Sequence, residues 1–402
     1  MAQSGNGMIP STIPDTPPTA NWPTSQIEAW KYTDLRHLAE GLLWNPGNES
    51  LQPWFIRPHE MLAYFSGSGS PKKAVTGSDA LTSVIHSGTQ GGWQLHIPAG
   101  LSSNTPLRVV YTPVSPSGWS AFNHHLYVEQ GAHLTLIEEN EEEEPLAPEP
   151  MFDQSQDAKS IPLCTMTMHH LQVHLERGAE LKLIRIFRCP KSKAFVHQVD
   201  THQEEGSKLE VQTVAMGSGI IRNNVHIQQR GNHCSSGLLG LSVAFGGGHI
   251  DQYSRIQHHS LEGNSHQHYK AIAAINSTTI FNGVLRVEPQ AQQTNAYQRS
   301  SNLMLDPAAH RIGHKSKGFM RPGKVNAKPE LQIFADNVKC SHGATVGKLN
   351  TDSIFYLQSR GLSFEEAQRI LTLAFAMEII DQLEDESLRS EVIKQLDLLQ
   401  WH

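Results

Sequence analysis

From Gly91 onward the chain is written in short apolar–polar alternations broken by glycine corners. Leu126-Tyr127-Val128-Glu129-Gln130-Gly131-Ala132-His133-Leu134-Thr135-Leu136 has the same pattern as Val173-His174-Leu175-Glu176-Arg177-Gly178-Ala179-Glu180-Leu181-Lys182-Leu183. Val225 to Gly231 repeats the first half. Period-2 runs with tight corners predict strands, and glycine supplies the positive φ such corners need. The absence of a helical period over about 200 residues predicts a β-solenoid or a stacked sandwich. Short runs with tight corners favour the solenoid. The pattern closes at residues 328–347. Leu331, Ile333 and Ala335 form a half-buried alternation, Asp336-Asn337 is a turn signal, and a second extended piece carries Cys340 and His342.

After Gly347 the period becomes helical. Asn350-Thr351-Asp352 caps a helix through Phe355, Tyr356 and Leu357, and Gly361 ends it. Ser363 with Glu366 makes a capping box for a second helix, whose Ile370, Leu373, Ala374, Met377 and Ile380 are expected on one face. Residues 384–399 predict a third helix. At the other end, residues 1–25 read as a mobile leader and 26–90 as a small, mainly helical region. The expected division is therefore leader, helical region 26–90, β-core 91–347 and helical domain 348–402.

Composition narrows the function classes. The 402 residues suffice for two or three domains, and 38% apolar with 18% charged residues suits a soluble chain. A net charge of -7 argues against a nucleic-acid partner. No run approaches the roughly 18 apolar residues of a membrane span, and no signal peptide is seen. Cys164, Cys189, Cys234 and Cys340 lie far apart, which fits neither a disulfide framework nor a zinc finger and is consistent with a reducing cytoplasm. The 23 histidines are many and scattered; the adjacent pairs among them, His124-His125, His169-His170 and His258-His259, face opposite ways on a strand and chelate poorly.

Candidate chemistry is sparse. Cys340 and His342, two apart on a strand, stand side by side and are ligand types for iron and zinc. Two ligands do not close a site, so others must come from elsewhere in the fold or from another chain. A buried cysteine beside a hydrogen-bonded histidine accounts for the same spacing. Gly246-Gly247-Gly248 lacks the Lys-Ser/Thr of a phosphate loop and reads as a corner. His266 and His268 read as surface histidines. The acidic block from Glu138 to Glu144 reads as a solvated loop, and basic residues 310–327 as an inserted surface loop.

The string Cys340-Ser341-His342-Gly343-Ala344-Thr345-Val346-Gly347, after Lys328-Pro329-Glu330-Leu331-Gln332-Ile333, resembles the signature of the SufB/SufD family of iron–sulfur cluster assembly subunits. Trp30-Lys31-Tyr32-Thr33-Asp34-Leu35, Phe281 to Val287 and Ala291 to Gln298 resemble other family patterns. Ser300 stands where the B-type subunit carries a cysteine, and Asn302 to Leu305 is more like the D type. The resemblance implies a right-handed parallel β-helix with helical regions at both ends. It implies a non-catalytic cytoplasmic scaffold that pairs with SufB and docks the ATPase SufC. No tightly bound cofactor is expected, only transient iron or an iron–sulfur cluster shared with SufB. By the same resemblance Cys340 and His342 are interface ligands, and Phe355, Leu357, Arg360, Phe364, Leu373 and Met377 belong to the partner surface. A homodimer without partners stays open. The alternatives are a stand-alone metal-dependent enzyme on a solenoid and a purely structural interaction subunit. Against the enzyme, no acidic residues cluster in general acid/base fashion on a strand face.

Overall fold

The computed structural model describes residues 22–33, 54–57, 65–66, 80–87, 89, 91–103, 105–112, 118–140, 165–306 and 321–399. In chain order the strands are β1 (Trp54–Arg57), β2 (Phe65–Ser66), β3 (Gln94–Ile97), β4 (Leu107–Tyr111), β5 (Gly118–Val128), β6 (His133–Asn140), β7 (Thr165–Leu175), β8 (Glu180–Cys189) and β9 (Lys193–Gln203). They continue as β10 (Lys208–Gly217), β11 (Ile220–Gln229), β12 (Ser235–Ala244), β13 (His249–His258), β14 (Asn264–Ala273), β15 (Thr278–Val287), β16 (Asn295–Met304), β17 (Lys324–Ile333) and β18 (Lys339–Gly347). The helices are α1 (Ala80–Ser87), α2 (Thr351–Ser359), α3 (Phe364–Ile380) and α4 (Glu386–Leu398), with a 3-10 turn at Glu28–Trp30.

The strands form two nine-stranded sheets. The front sheet runs β2-β3-β5-β7-β9-β11-β13-β15-β17 and the back sheet β1-β4-β6-β8-β10-β12-β14-β16-β18. Each turn adds one strand to each sheet, so every second strand pairs in parallel and in register. This is the expected β-solenoid. Among the described residues only the first strands, β1 and β2, pair antiparallel.

Register turns the sequence into columns. Leu126, Val173, Thr201, Ile227, Ile256 and Leu285 stack up the inside of the front sheet. Leu136, Leu183, Val211 and Leu238 oppose them from the back sheet. All but Thr201 and Leu285 belong to one buried apolar core, which removal from water favours by roughly 25 cal/mol per Å². The corners also form a column. Gly131, Gly178 and Gly206 have φ of 65°, 65° and 68°, and their N–H groups donate to Arg177, Glu205 and Asn232 carbonyls of the next turn. His233, Glu262 and Gln293 hold the same place with φ of 58°, 57° and 61°. Just after these corners, Ala132, Ala179, Ser207, Cys234 and Thr294 are fully buried, which places Cys234 as a small core residue.

Helices cover part of each sheet's outer face. α3 and α4 lie on the back sheet, where Ala376, Ile379, Ile380, Leu388, Val392 and Leu396 meet Ile184, Val214, Leu241 and Ile272. Trp22, Trp30 and α1 lie on the front sheet over Trp119, Met166 and Val196. No helix among the described residues is long and apolar enough to cross a membrane.

Three local expectations are corrected. Glu138, read as the start of a solvated loop, lies on β6 and points into the solenoid, where Arg185 pairs with it at 2.9 Å. Residues 141–144 of that block lie outside the described residues. The stretch read as a loop over 310–327 becomes β17 at Lys324, because Lys324 to Ile333 pair with Thr278 to Val287; residues 310–320 are not described. The fully buried stripe of α3 runs through Ala367, Gln368, Thr372, Ala376, Ile379 and Ile380, with Leu373 and Met377 flanking it and Ile370 exposed. Small residues let the helix approach the sheet, so apolarity alone misjudged the inner face. Residues 1–21 of the expected leader are not described. The described part of 26–90 holds the 3-10 turn, α1, β1 and β2.

Candidate functional site at the open end of the solenoid

The last turn is formed by β17 and β18. Each pairs with one strand of its own sheet, and among the described residues the other edge of each is bare. Bare edges present unpaired N–H and C=O groups to any incoming strand. Pro329 lies within β17, where an edge position tolerates its missing N–H. Every residue of β18 is exposed except the half-buried Cys340, whereas the preceding β16 is buried at Ala296, Gln298, Ser300, Ser301, Asn302 and Leu303. The solenoid therefore ends as a cut face. Tyr297, Ile333, Phe334 and Val346 leave apolar surface exposed around it.

Register places the predicted pair on this face. Cys340 pairs with Ala296 and His342 with Gln298, so both extend inward columns of the back sheet. Cys340 packs against the cluster of Leu285, Val287, Ala291, Ala296 and Ala335. Burial raises its thiol above the ordinary value, so it is protonated at neutral pH and would release a proton on binding metal. His342 is exposed. Added Cβ atoms at Gly343 and Gly347 would meet nothing within 4 Å, which leaves the space beside the pair open.

The column beneath His342 changes character. It runs Leu136, Leu183, Val211 and Leu238, then Gln267, Gln298 and His342. Gln298 donates to Gln267 at 3.3 Å, while its own carbonyl oxygen is buried without a partner. In the neighbouring columns Asn302 donates to Ser300 Oγ at 3.0 Å and to the Thr345 carbonyl at 2.9 Å. This column is thus apolar through the body and polar in its last turns. Sequence reading missed Gln267 and Gln298. Their signal is the replacement of leucine at one column position, visible only when the turns are aligned.

Among the described residues no three His, Cys, Asp or Glu groups are arranged to hold a metal. Cys340 and His342 are brought side by side without a third ligand. The predicted partner residues lie elsewhere, on α2 and α3. Phe355 is 73% exposed and Arg360 is also exposed. Leu357 and Phe364 are half-buried, and Leu373 and Met377 pack partly against the body. Tyr356, over which Arg360 lies at 5.3 Å from the ring centroid, extends this exposed surface, as does Ile370.

Residues 111–375 match the family model for the SufBD core domain of SUF system FeS cluster assembly. The chain belongs to the SufB/SufD family. It is 29% identical over 276 residues to iron-sulfur cluster assembly protein SufD of Escherichia coli (strain K12), covering 68% of this chain and 58% of that protein. It is 34% identical over 222 residues to the chloroplastic protein ABCI7 of Arabidopsis thaliana, covering 55% and 44%. Over 121 residues it is 31% identical to SufD of Bacillus subtilis (strain 168). Within the SufB/SufD family it is most like SufD. The chain thus spans about half the length of several curated relatives it matches. The matched region includes the open end and most of α3.

Proposed function

We propose that this chain is a non-catalytic scaffold subunit in iron–sulfur cluster assembly, pairing its open end with SufB and docking the ATPase SufC on its C-terminal helices. The observation that carries the reading is an incomplete ligand set on a bare strand edge. Cys340 and His342 supply a thiol and an imidazole, and the remaining ligands for iron or a nascent cluster would come from the partner. Iron and cluster are cargo here, so ligands shared between chains suit release: separating the chains removes half the coordination. The exposed Phe355, Tyr356 and Arg360 suit a docking surface near that edge in sequence, and α2 follows β18 after three residues, Lys348 to Asn350. ATP-driven movement of the docked helices would be passed to β18 through this short link.

The test is cluster loading of the co-expressed B, C and D complex under strict anaerobiosis. Wild type should carry iron, sulfide and visible absorption, and His342→Ala should lose them with the subunit ratio intact. Unchanged loading would contradict the ligand role and leave a purely structural subunit. Failure of any complex to form would contradict the pairing. Crosslinks from Cys340 to the partner should respond to ATP, and equal yields with and without ATP would contradict the coupling.

A further inference from the structure

The outer face of the front sheet carries a second cluster, remote in sequence from Cys340 and His342. Register sets Asp200, His226 and Arg255 side by side on β9, β11 and β13. The next outward row holds His202, Gln228, Gln257 and Arg286. Arg230 and His259 follow at the ends of β11 and β13. Neighbouring strands lie about 4.8 Å apart, so three arginines and three histidines share a few turns. The charges of Arg230, Arg255 and Arg286 all act on the His259 ring, and Arg230 acts on His202.

The nearby carboxylates are already engaged. Asp200 accepts from His170 at 2.6 Å, from Gln198 at 2.9 Å and from His226 Nδ1 at 3.0 Å. Glu288 accepts from Arg286 at 2.6 Å, and Glu204 from His174 at 3.0 Å. Arg255 has no ion-pair partner among the described residues. An independent observation marks the same place. Arg255 Nε and the Nε2 atoms of His202, His226 and His259 are shut off from solvent without a hydrogen-bond partner. Buried polar atoms in folded proteins are nearly always paired, and four unpaired nitrogens in one patch call for a ligand's acceptor atoms.

A cation is the wrong ligand, because three guanidinium groups repel it and no metal-ligating arrangement exists among the described residues. An oxyanion fits. Guanidinium forks match phosphate oxygens, and each imidazole becomes a donor at Nε2 when protonated there. We propose that this patch binds a phosphate-class oxyanion, free or as a phosphomonoester, with Arg255 central and His202, His226 and His259 as surrounding donors. Burial and neighbouring arginines hold His202 down to about 4 and His259 below its ordinary value. An anion offsets the arginine charges, so binding takes up protons and tightens as pH falls. The other charged or titratable groups facing the patch are His86 from α1, His170 and His174 on β7, Asp200 and Glu204 at β9, Tyr253 on β13 against the His226 ring, Glu288 after β15, and Lys328 and Glu330 on β17.

The test is calorimetric titration of inorganic phosphate into the full chain at about pH 6.5 and about pH 8, with ionic strength held by chloride. One saturable site is expected, and sulfate, whose charge is constant over this range, should bind the same site more weakly at the higher pH. Arg255→Gln should weaken it at least about tenfold, and Arg369→Gln, on the opposite helical layer, should leave it unchanged. His259→Gln carries the same test if Arg255→Gln does not fold. Heats no different from chloride, or unchanged phosphate binding in both patch variants, would overturn the proposal. Glycerol phosphate binding tighter than the free ion would place the group on a larger ligand, and equal or weaker binding would make the free ion the ligand; both support the site.

Discussion

Arg185 and Glu138 face each other inside the solenoid at 2.9 Å, each about 1% exposed. Tyr111 donates to the other Glu138 oxygen, and Arg185 Nη1 donates to Asn223 at 2.6 Å. Arg185→Met leaves a buried carboxylate uncompensated and should cost about 3–5 kcal/mol in urea unfolding, with Glu138→Leu/Arg185→Met recovering much of it. An equally unstable double variant would mean that shape, not charge, dominates. At the end turn the raised Cys340 thiol has its own signature. Its alkylation by iodoacetamide, followed by mass spectrometry, should still accelerate above pH 9.0, the ordinary thiol value. A plateau below that would mean a preformed thiolate. At this scale the sequence was partly legible. Spacing alone placed Cys340 beside His342, and the paired histidines do face opposite ways: His124 and His169 stack inside at 5.3 Å while His170 reaches outward to Asp200. Glu138 was misread because its neighbours are acidic, and its partner lies 47 residues away.

Corners and columns decide the behaviour of the elements. Gly178 has φ of 65° with open space where a Cβ would go, so Gly178→Ala pays only backbone strain, about 1 kcal/mol. Gly240 is different: a Cβ there would lie 2.2 Å from the buried Tyr269 ring. Gly240→Ala should therefore destabilise by about 1–3 kcal/mol through overpacking. Thermal unfolding of the two variants should rank them in that order, and the reverse ranking would contradict the column assignment. Strand alternation made the solenoid readable, and so did the Gly-Ala corners at Gly131 and Gly178. His233, Glu262 and Gln293 concealed the later corners, because such residues rarely adopt positive φ and their turns carry no compositional mark. On α3 the small inward residues Ala367, Thr372 and Ala376 concealed the packed face for a similar reason.

The whole molecule holds many neutral histidines. Among the described residues, His86, His124, His125, His169, His197, His202, His249, His258, His259 and His268 are held below their ordinary value, with burial the largest cause in each. The unfolded chain takes up protons at these sites near pH 6.5 while the folded chain does not, so their contribution to stability is present above 6.5 and lost as pH falls. For the buried His258, with its folded value at about 4, that loss amounts to roughly 3 kcal/mol. The unfolding temperature should fall steeply between about pH 6.5 and about pH 4, and a flat profile would contradict the neutral core. The fold was legible at this scale because it repeats. The end of the strand pattern at Gly347 was legible too, but only the sheet order shows that β17 and β18 each leave an edge bare among the described residues. The central claim is that this face is half of a site. Anaerobic iron and sulfide reconstitution of the isolated chain, beside the same treatment of the B–C–D complex, tests it most directly. The account predicts stoichiometric loading only in the complex, lost in His342→Ala. A stable cluster on the isolated chain, unchanged by His342→Ala, would contradict it.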